Sequence, residues 1–115
     1  MLKKIIFFLI FILISTSTYA YEAGHVKGKW RIDSYQERGE KNWEKGKDGD
    51  VWEFKGDQYI VYSNGRRISA TSYKVSGKSI FIRAIFGDNE LKITKYSGGR
   101  MQISDKNYIY NLRRR

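Results

Sequence analysis

The stretch VWEFKGDQYIVYSNG, residues 51–65, decides the fold. Trp52 and Phe54 alternate with Val51, Glu53 and Lys55, and period-two alternation marks a half-buried strand over Val51–Lys55. Gly56-Asp57 turns the chain into a second strand, Gln58–Ser63, where Tyr59 and Val61 alternate with Ile60 and Tyr62. Asn64-Gly65 then closes it. This dipeptide is the strongest hairpin signal in the chain, because a type I′ turn needs positive φ at both central residues.

The same grammar extends in both directions. Upstream, Lys29–Gln36 places Trp30 and Ile32 on one face. Downstream, Ile68–Val75 carries Tyr73 and Val75, and Ser76-Gly77-Lys78 leads into Ser79–Phe86. Gly87-Asp88-Asn89 turns into Glu90–Lys95, with Leu91 and Ile93 opposed to Lys92 and Thr94. Ser97-Gly98-Gly99 precedes a strand with Met101 and Ile103; Asp105-Lys106-Asn107 precedes a last one with Tyr108, Tyr110 and Leu112. No proline interrupts the pattern, and no window of twelve residues shows a helical stripe. Eight short strands joined by tight turns remove their edges by closing. The expected fold is therefore all-β, an eight-stranded antiparallel up-and-down barrel. A sandwich needs a long crossover connection, and none follows residue 51.

The succession GKWRIDSY, VWEFKGDQYIVYSNG, SYKVSGKSIFI, LKITKYSGGRMQIS and YIYNLRR resembles small bacterial lipocalin-like domains. The shared pattern is a Trp in a G-x-W first strand, a Y-x-V-x-G-x-x-I-x-I hairpin and a closing Y-x-L-x-R. The resemblance spans nearly all of residues 21–115 and implies a barrel whose Trp30 plugs its closed end. It brings no activity with it: members of that secreted group are largely uncharacterised, and a fold alone fixes no function. The strong positive charge is a departure.

At the other end of the chain, Lys3 and Lys4 precede the apolar run Ile5–Ile14, followed by Ser15-Thr-Ser-Thr-Tyr-Ala20. A positive head, a short apolar segment and a small residue at the cut site read as a secretory signal peptide over residues 1–20, cleaved between Ala20 and Tyr21. The run is too short for the ~20 apolar residues of a membrane span. The expected location is periplasmic or secreted. Residues 21–115 then form one domain, and without cysteine it must hold together through its apolar core.

Charge is distributed unevenly. Residues 21–57 carry eight basic and nine acidic side chains, residues 58–115 twelve and three, and residues 58–87 no acid at all. Such a half suits an anionic partner, an envelope component for example, or serves solubility alone.

Three features are candidates for function. Gln36–Asp50, QERGEKNWEKGKDGD, is the one long connection, with Trp43 alone among charges. It reads either as a one-turn helix whose Trp43 caps the core or as a lid contacting a ligand. Its Asp48-Gly49-Asp50 lacks the remaining ligands of a calcium loop and reads as a turn. Ser79–Phe86 is apolar on both faces: Ile80, Ile82, Ala84 and Phe86 on one, Phe81 and Ile85 flanking Arg83 on the other. With Lys74 and Lys92 on neighbouring strands this makes an apolar outer patch with a cationic rim. A second subunit in a homodimer, the 36–50 loop, a protein partner or a lipid surface would cover it; alternatively these are scattered surface residues. The tail Arg113-Arg114-Arg115 is either solvated or a grip for phosphate.

Catalysis is disfavoured. There is no cysteine, the single histidine, His25, sits at an expected frayed end, and no phosphate-binding glycine loop is present. Nothing implies a metal or a cofactor. Two binding readings remain: a carrier of a small apolar ligand or lipid, its cavity lined by Tyr59, Tyr73, Tyr108 and Tyr110 with Trp43 as lid; and a periplasmic accessory or inhibitor protein acting through its basic outer surface. Like charge argues against an inhibitor of cationic lysozymes. Export argues against nucleic acid as the partner, although aromatics among basic residues would suit it.

Overall fold

A computed structural model describes residues 20–115, so the leader expected over residues 1–20 lies, apart from Ala20, outside the described residues. A one-turn helix α1 (Ala23–Val26) precedes nine strands: β1 (Gly28–Glu37), β2 (Glu44–Lys45), β3 (Val51–Lys55), β4 (Gln58–Ser63), β5 (Arg66–Ser76), β6 (Ser79–Ala84), β7 (Gly87–Tyr96), β8 (Arg100–Ser104) and β9 (Tyr108–Arg114). Every pairing is antiparallel. The order β1-β3-β4-β5-β6-β7-β8-β9 returns to β1, and β2 is appended beside β1. Eight strands therefore close into a barrel, the architecture the turn spacing implied.

Alternation decides what fills it. Trp30 stands opposite Trp52, Phe54 opposite Tyr59, Ile80 opposite Leu91, Ile93 opposite Ile103 and Met101 opposite Leu112. These side chains point inward into one buried cluster, which Val26 completes from below. Asn64 and Gly65 take φ of 53° and 76°, the signs a type I′ turn requires.

The structure departs from the sequence reading in four places. The 36–50 connection forms neither a helix nor a free loop. β1 runs to Glu37, and Glu44–Lys45 pair with Tyr35 and Ser34 before the chain rejoins the barrel with Val51 opposite Arg31. β2 and β3 thus act as one strand with an excursion at Gly46–Asp50. Its two paired residues are both exposed, so no apolar alternation betrays it. Trp43 does not cap the core: it is 44 % exposed at the foot of β2.

Second, the apolar strand ends at Ala84, not Phe86. Ala84 pairs with Gly87, Arg83 with Asp88 and Ile82 with Asn89. Residues 87–89 are therefore strand, and the turn is Ile85-Phe86. Asn64 is the one non-glycine residue with positive φ among the described residues. The Ile85-Phe86 turn therefore has ordinary handedness, and Gly87, at φ 114°, absorbs the twist that follows.

Third, the N-terminus is not frayed. The Tyr21 N–H donates to the Gly77 carbonyl at 2.8 Å, and His25 packs edge-on against the rings of Tyr21 and Tyr96. Fourth, the arginine tail is only partly solvated: Arg113 and Arg115 are exposed, Arg114 is half-buried. Arg113 pairs with Asp33 at 3.0 Å, and Arg114 lies 4.2 Å over the Trp30 ring.

Candidate functional site

The two ends of the barrel are chemically unlike. At the lower end α1 lies across the opening. Trp30, fully buried, donates its indole N–H to the Val26 carbonyl at 2.7 Å. The Arg114 guanidinium covers the indole face and donates to the His25 and Lys27 carbonyls below and to the Gly98 carbonyl beside it. Gly28 makes room for it: a Cβ there would stand 2.8 Å from Arg114 Nη1. Tyr96 adds a hydroxyl bond to the His25 carbonyl at 2.7 Å. This end is sealed, as the resemblance implied for Trp30.

The upper end is open. A cavity of about 670 Å³ descends from the mouth, within the range of small-molecule sites. Trp52, Tyr59, Tyr110, Ile82 and Leu91 line it, below a rim built by the β6–β7 and β8–β9 hairpins and Arg38. Alternation puts these side chains inside, and strand length puts them above the solid core of Trp30, Phe54, Ile80 and Ile103. The Trp52 ring stands 4.9 Å from that of Tyr110 and 5.8 Å from that of Tyr59, in edge-to-face geometry. Such contacts fix the rings and leave the apolar space between them preformed.

Burial pushes the Tyr59 phenol far above its ordinary pKa of 10, with the charges of Tyr110 and Asp105 adding to the rise. Tyr110 is pushed up to about 12, again chiefly by burial, then by Asp105, Tyr108 and Tyr35. Both phenols are neutral at any physiological pH and offer hydrogen bonds without charge. The charged groups along the cavity are mixed: Arg38, Asp88, Asp105 and Lys106 at the rim, and Glu90 and Lys92 on the β7 wall below it. Two of these carboxylates already have partners. Asp105 accepts the N–H groups of Asn107 and Tyr108 at 2.8 and 2.7 Å, and Glu90 accepts the Ser79 hydroxyl at 2.6 Å. Arg38 clips the end of β1 to the β8–β9 turn, its Nε donating to the Asp105 carbonyl at 2.7 Å and its backbone N–H to Asn107.

Of the tyrosines expected in a cavity, Tyr59 and Tyr110 line it. Tyr108 stands beside it, its ring tilted against that of Tyr110 at 5.9 Å. Tyr73 belongs to the closed half: its ring meets Phe54 at 4.9 Å and its hydroxyl donates to the Gly56 carbonyl at 3.0 Å. Trp43 is not part of the lining. Trp52, Ile82, Leu91 and Arg38 were not foreseen as site residues. Alternation marks the first three as inward, but which inward residues meet solvent depends on where each strand ends.

Of the outer-patch residues, Lys74, Phe81, Arg83 and Lys92 share the wall of β5, β6 and β7. Lys74 and Glu90 flank Phe81 across the ladders, with the Lys74 ammonium 6.0 Å over its ring. Phe81 is thus half-buried by its neighbours. Ile85 has left the wall for the turn. Asp48 pairs with Arg31 at 3.1 Å, which suits a turn residue.

No family model matches the sequence, and neither does any of the curated proteins. Among solved structures the chain is similar to a lipocalin-like protein from Bacteroides uniformis, with a TM-score of 0.65 and 17 % identity over 80 % of this chain and all of that one. It is also similar to an uncharacterised protein from Bacteroides eggerthii, with a TM-score of 0.62 and 15 % identity over 78 % of this chain and 99 % of that one. The fold is lipocalin-like.

Proposed function

We propose that this is an exported, non-catalytic binding protein that holds a small amphiphile in the barrel mouth. One observation carries the reading: a preformed cavity of about 670 Å³ with an aromatic and aliphatic floor and a polar rim, in the open end of a barrel whose other end is sealed. The balanced rim and the neutral phenols favour a ligand with an apolar body and an uncharged or zwitterionic polar end. The start of the folded domain supports the export part of the proposal. Among the described residues, Tyr21, which follows the expected cut, is the first to pack on the barrel, and Ala20 before it is exposed.

The test is titration of delipidated protein with the neutral fluorescent probe N-phenylnaphthylamine. Binding should enhance probe emission and saturate at one site. Leu91→Trp fills the cavity with another apolar side chain and should abolish the enhancement while circular dichroism stays that of the parent. Equal enhancement in parent and filled variant would place the probe elsewhere and end the cavity reading.

A further inference from the structure

The β6–β7 turn breaks the rule for its position. Exposed hairpin turns are populated by polar residues and glycine, which stay solvated. Here the two positions are Ile85 and Phe86, which are 92 % and 100 % exposed. Neither contributes to the core, and a polar pair would make the same turn. A sequence that departs from its local rule without gaining packing marks a functional position.

The surroundings say what the pair meets. The neighbouring β4–β5 hairpin ends at the same rim, with Arg66, Arg67 and Ile68 exposed, Ile68 to 63 %. Between these hairpins the wall is incomplete. The β5–β6 ladder runs only from Tyr73↔Ile82 to Ser76↔Ser79, so Arg66–Ser72 is laddered to β4 alone among the described residues. A bond from the Thr71 hydroxyl to the Arg83 carbonyl at 3.1 Å ties the hairpins together just above that point. The two hairpin ends therefore stand side by side at one sector of the mouth. Arg83 faces Asp88 across its own hairpin; Arg66 and Arg67 are the cations of the β4–β5 end, where the Gly49 carbonyl accepts the Gly65 N–H at 3.1 Å and Asp50 accepts the Ser63 hydroxyl at 3.4 Å. Residues 58–87 contain five cations and no acid.

We propose that this sector docks the protein on an anionic lipid bilayer. Ile85, Phe86 and Ile68 enter the headgroup and upper acyl region, and Arg66 and Arg67 engage the anionic headgroups. Apolar side chains at a tip give insertion, and adjacent cations give attraction to the surface. Each alone gives marginal binding; together they give stable, reversible attachment. The mouth then faces the membrane, with the gap between β5 and β6 at the point of contact. The docking does not depend on the cavity being occupied.

The experiment is co-sedimentation of residues 21–115, which carry every contact described above, with vesicles of phosphatidylglycerol and phosphatidylcholine or of phosphatidylcholine alone. The leader is left off because its apolar run would bind lipid by itself. The parent should bind the anionic vesicles, more weakly as salt rises. Phe86→Ser should weaken that binding roughly ten- to hundredfold, the partition lost with one large apolar side chain. The pair Arg66→Glu and Arg67→Glu should weaken it by about tenfold or more at low salt. Lys78→Glu, in a turn at the closed end, should leave it unchanged. All these positions are exposed turn or strand-end residues, so folding is not at issue. Absence of binding to anionic vesicles, binding that Phe86→Ser leaves intact, or equal damage by Lys78→Glu would each overturn the proposal. Concentration-dependent dimerisation that Phe86→Ser abolishes, without vesicle binding, would assign the tip to a second copy of the chain instead.

Discussion

Truncating Arg114 to alanine should be among the most damaging single changes outside the core. Three carbonyls, those of His25, Lys27 and Gly98, accept from its guanidinium, and the same group covers the Trp30 indole. A hydrogen bond to a charged group contributes about 1.5–3 kcal/mol, and a cation–π contact from about 0.5–1 kcal/mol when exposed to about 2 kcal/mol or more when desolvated. Two of the three bonds lie at the solvent edge, where water replaces much of what is lost. Counting one bond in full, the others as residual and the ring contact at about 1 kcal/mol gives roughly 3–4 kcal/mol. For a domain of this size that lowers the melting temperature by about 12–30 °C. Arg114→Lys keeps the charge and stem but reaches one carbonyl at most, and should recover about 1 kcal/mol of the loss. Arg115→Ala, next in the chain, serves as the control. The assay is urea unfolding followed by tryptophan emission, with Trp30 reporting directly on the plug. A loss for Arg114→Ala below about 1 kcal/mol, or one equal to the Arg115 control, would refute the assignment of the closed end to this side chain.

Two further outcomes are expected. A Cβ at Gly46 would collide with the Ile32 carbonyl, and the Gly46 N–H holds the Asp33 carbonyl at 2.8 Å. Gly46→Ala should therefore peel β2 from β1, speeding amide exchange at residues 44–46 and costing about 1–3 kcal/mol. The raised phenols of Tyr59 and Tyr110 make stability fall in alkali. The unfolded chain releases these protons near the ordinary value of 10, the folded one only toward 12 for Tyr110. Stability is then complete below pH 10 and lost as pH rises through 12. Urea midpoints across that window, with tyrosinate absorbance of the folded protein, check it; a midpoint flat through the window would contradict it.

The barrel was legible because its strands alternate and its turns are written in glycine and asparagine. Trp30, Trp52, Phe54, Leu91 and Met101 each sit on the face that period two assigns. What escaped reading did so for physical reasons. β2 pairs through its backbone while its side chains stay in water, so composition could not show it. The Ile85-Phe86 turn was hidden because its residues resemble the strand before it, and the Gly87-Asp88-Asn89 cluster after it resembles a turn. The outcome for the candidate site was mixed. Tyr59 and Tyr110 line the cavity because they alternate inward. Tyr73 and Trp43 were misplaced because aromatic identity says nothing of depth along the barrel axis. Arg114 was read as part of a charged tail, since only the return of β9 to β1 brings it to Trp30.

That return also sets a timetable. The ladder from Trp30↔Arg114 to Glu37↔Tyr108 joins the first barrel strand to the last, and no local contact can stand in for it. A growing polypeptide therefore keeps two raw strand margins until β9 leaves the ribosome, and loop closure over that span makes the step slow. A product ending before β9 would keep those margins for good, and its fate would be to stick to its own kind.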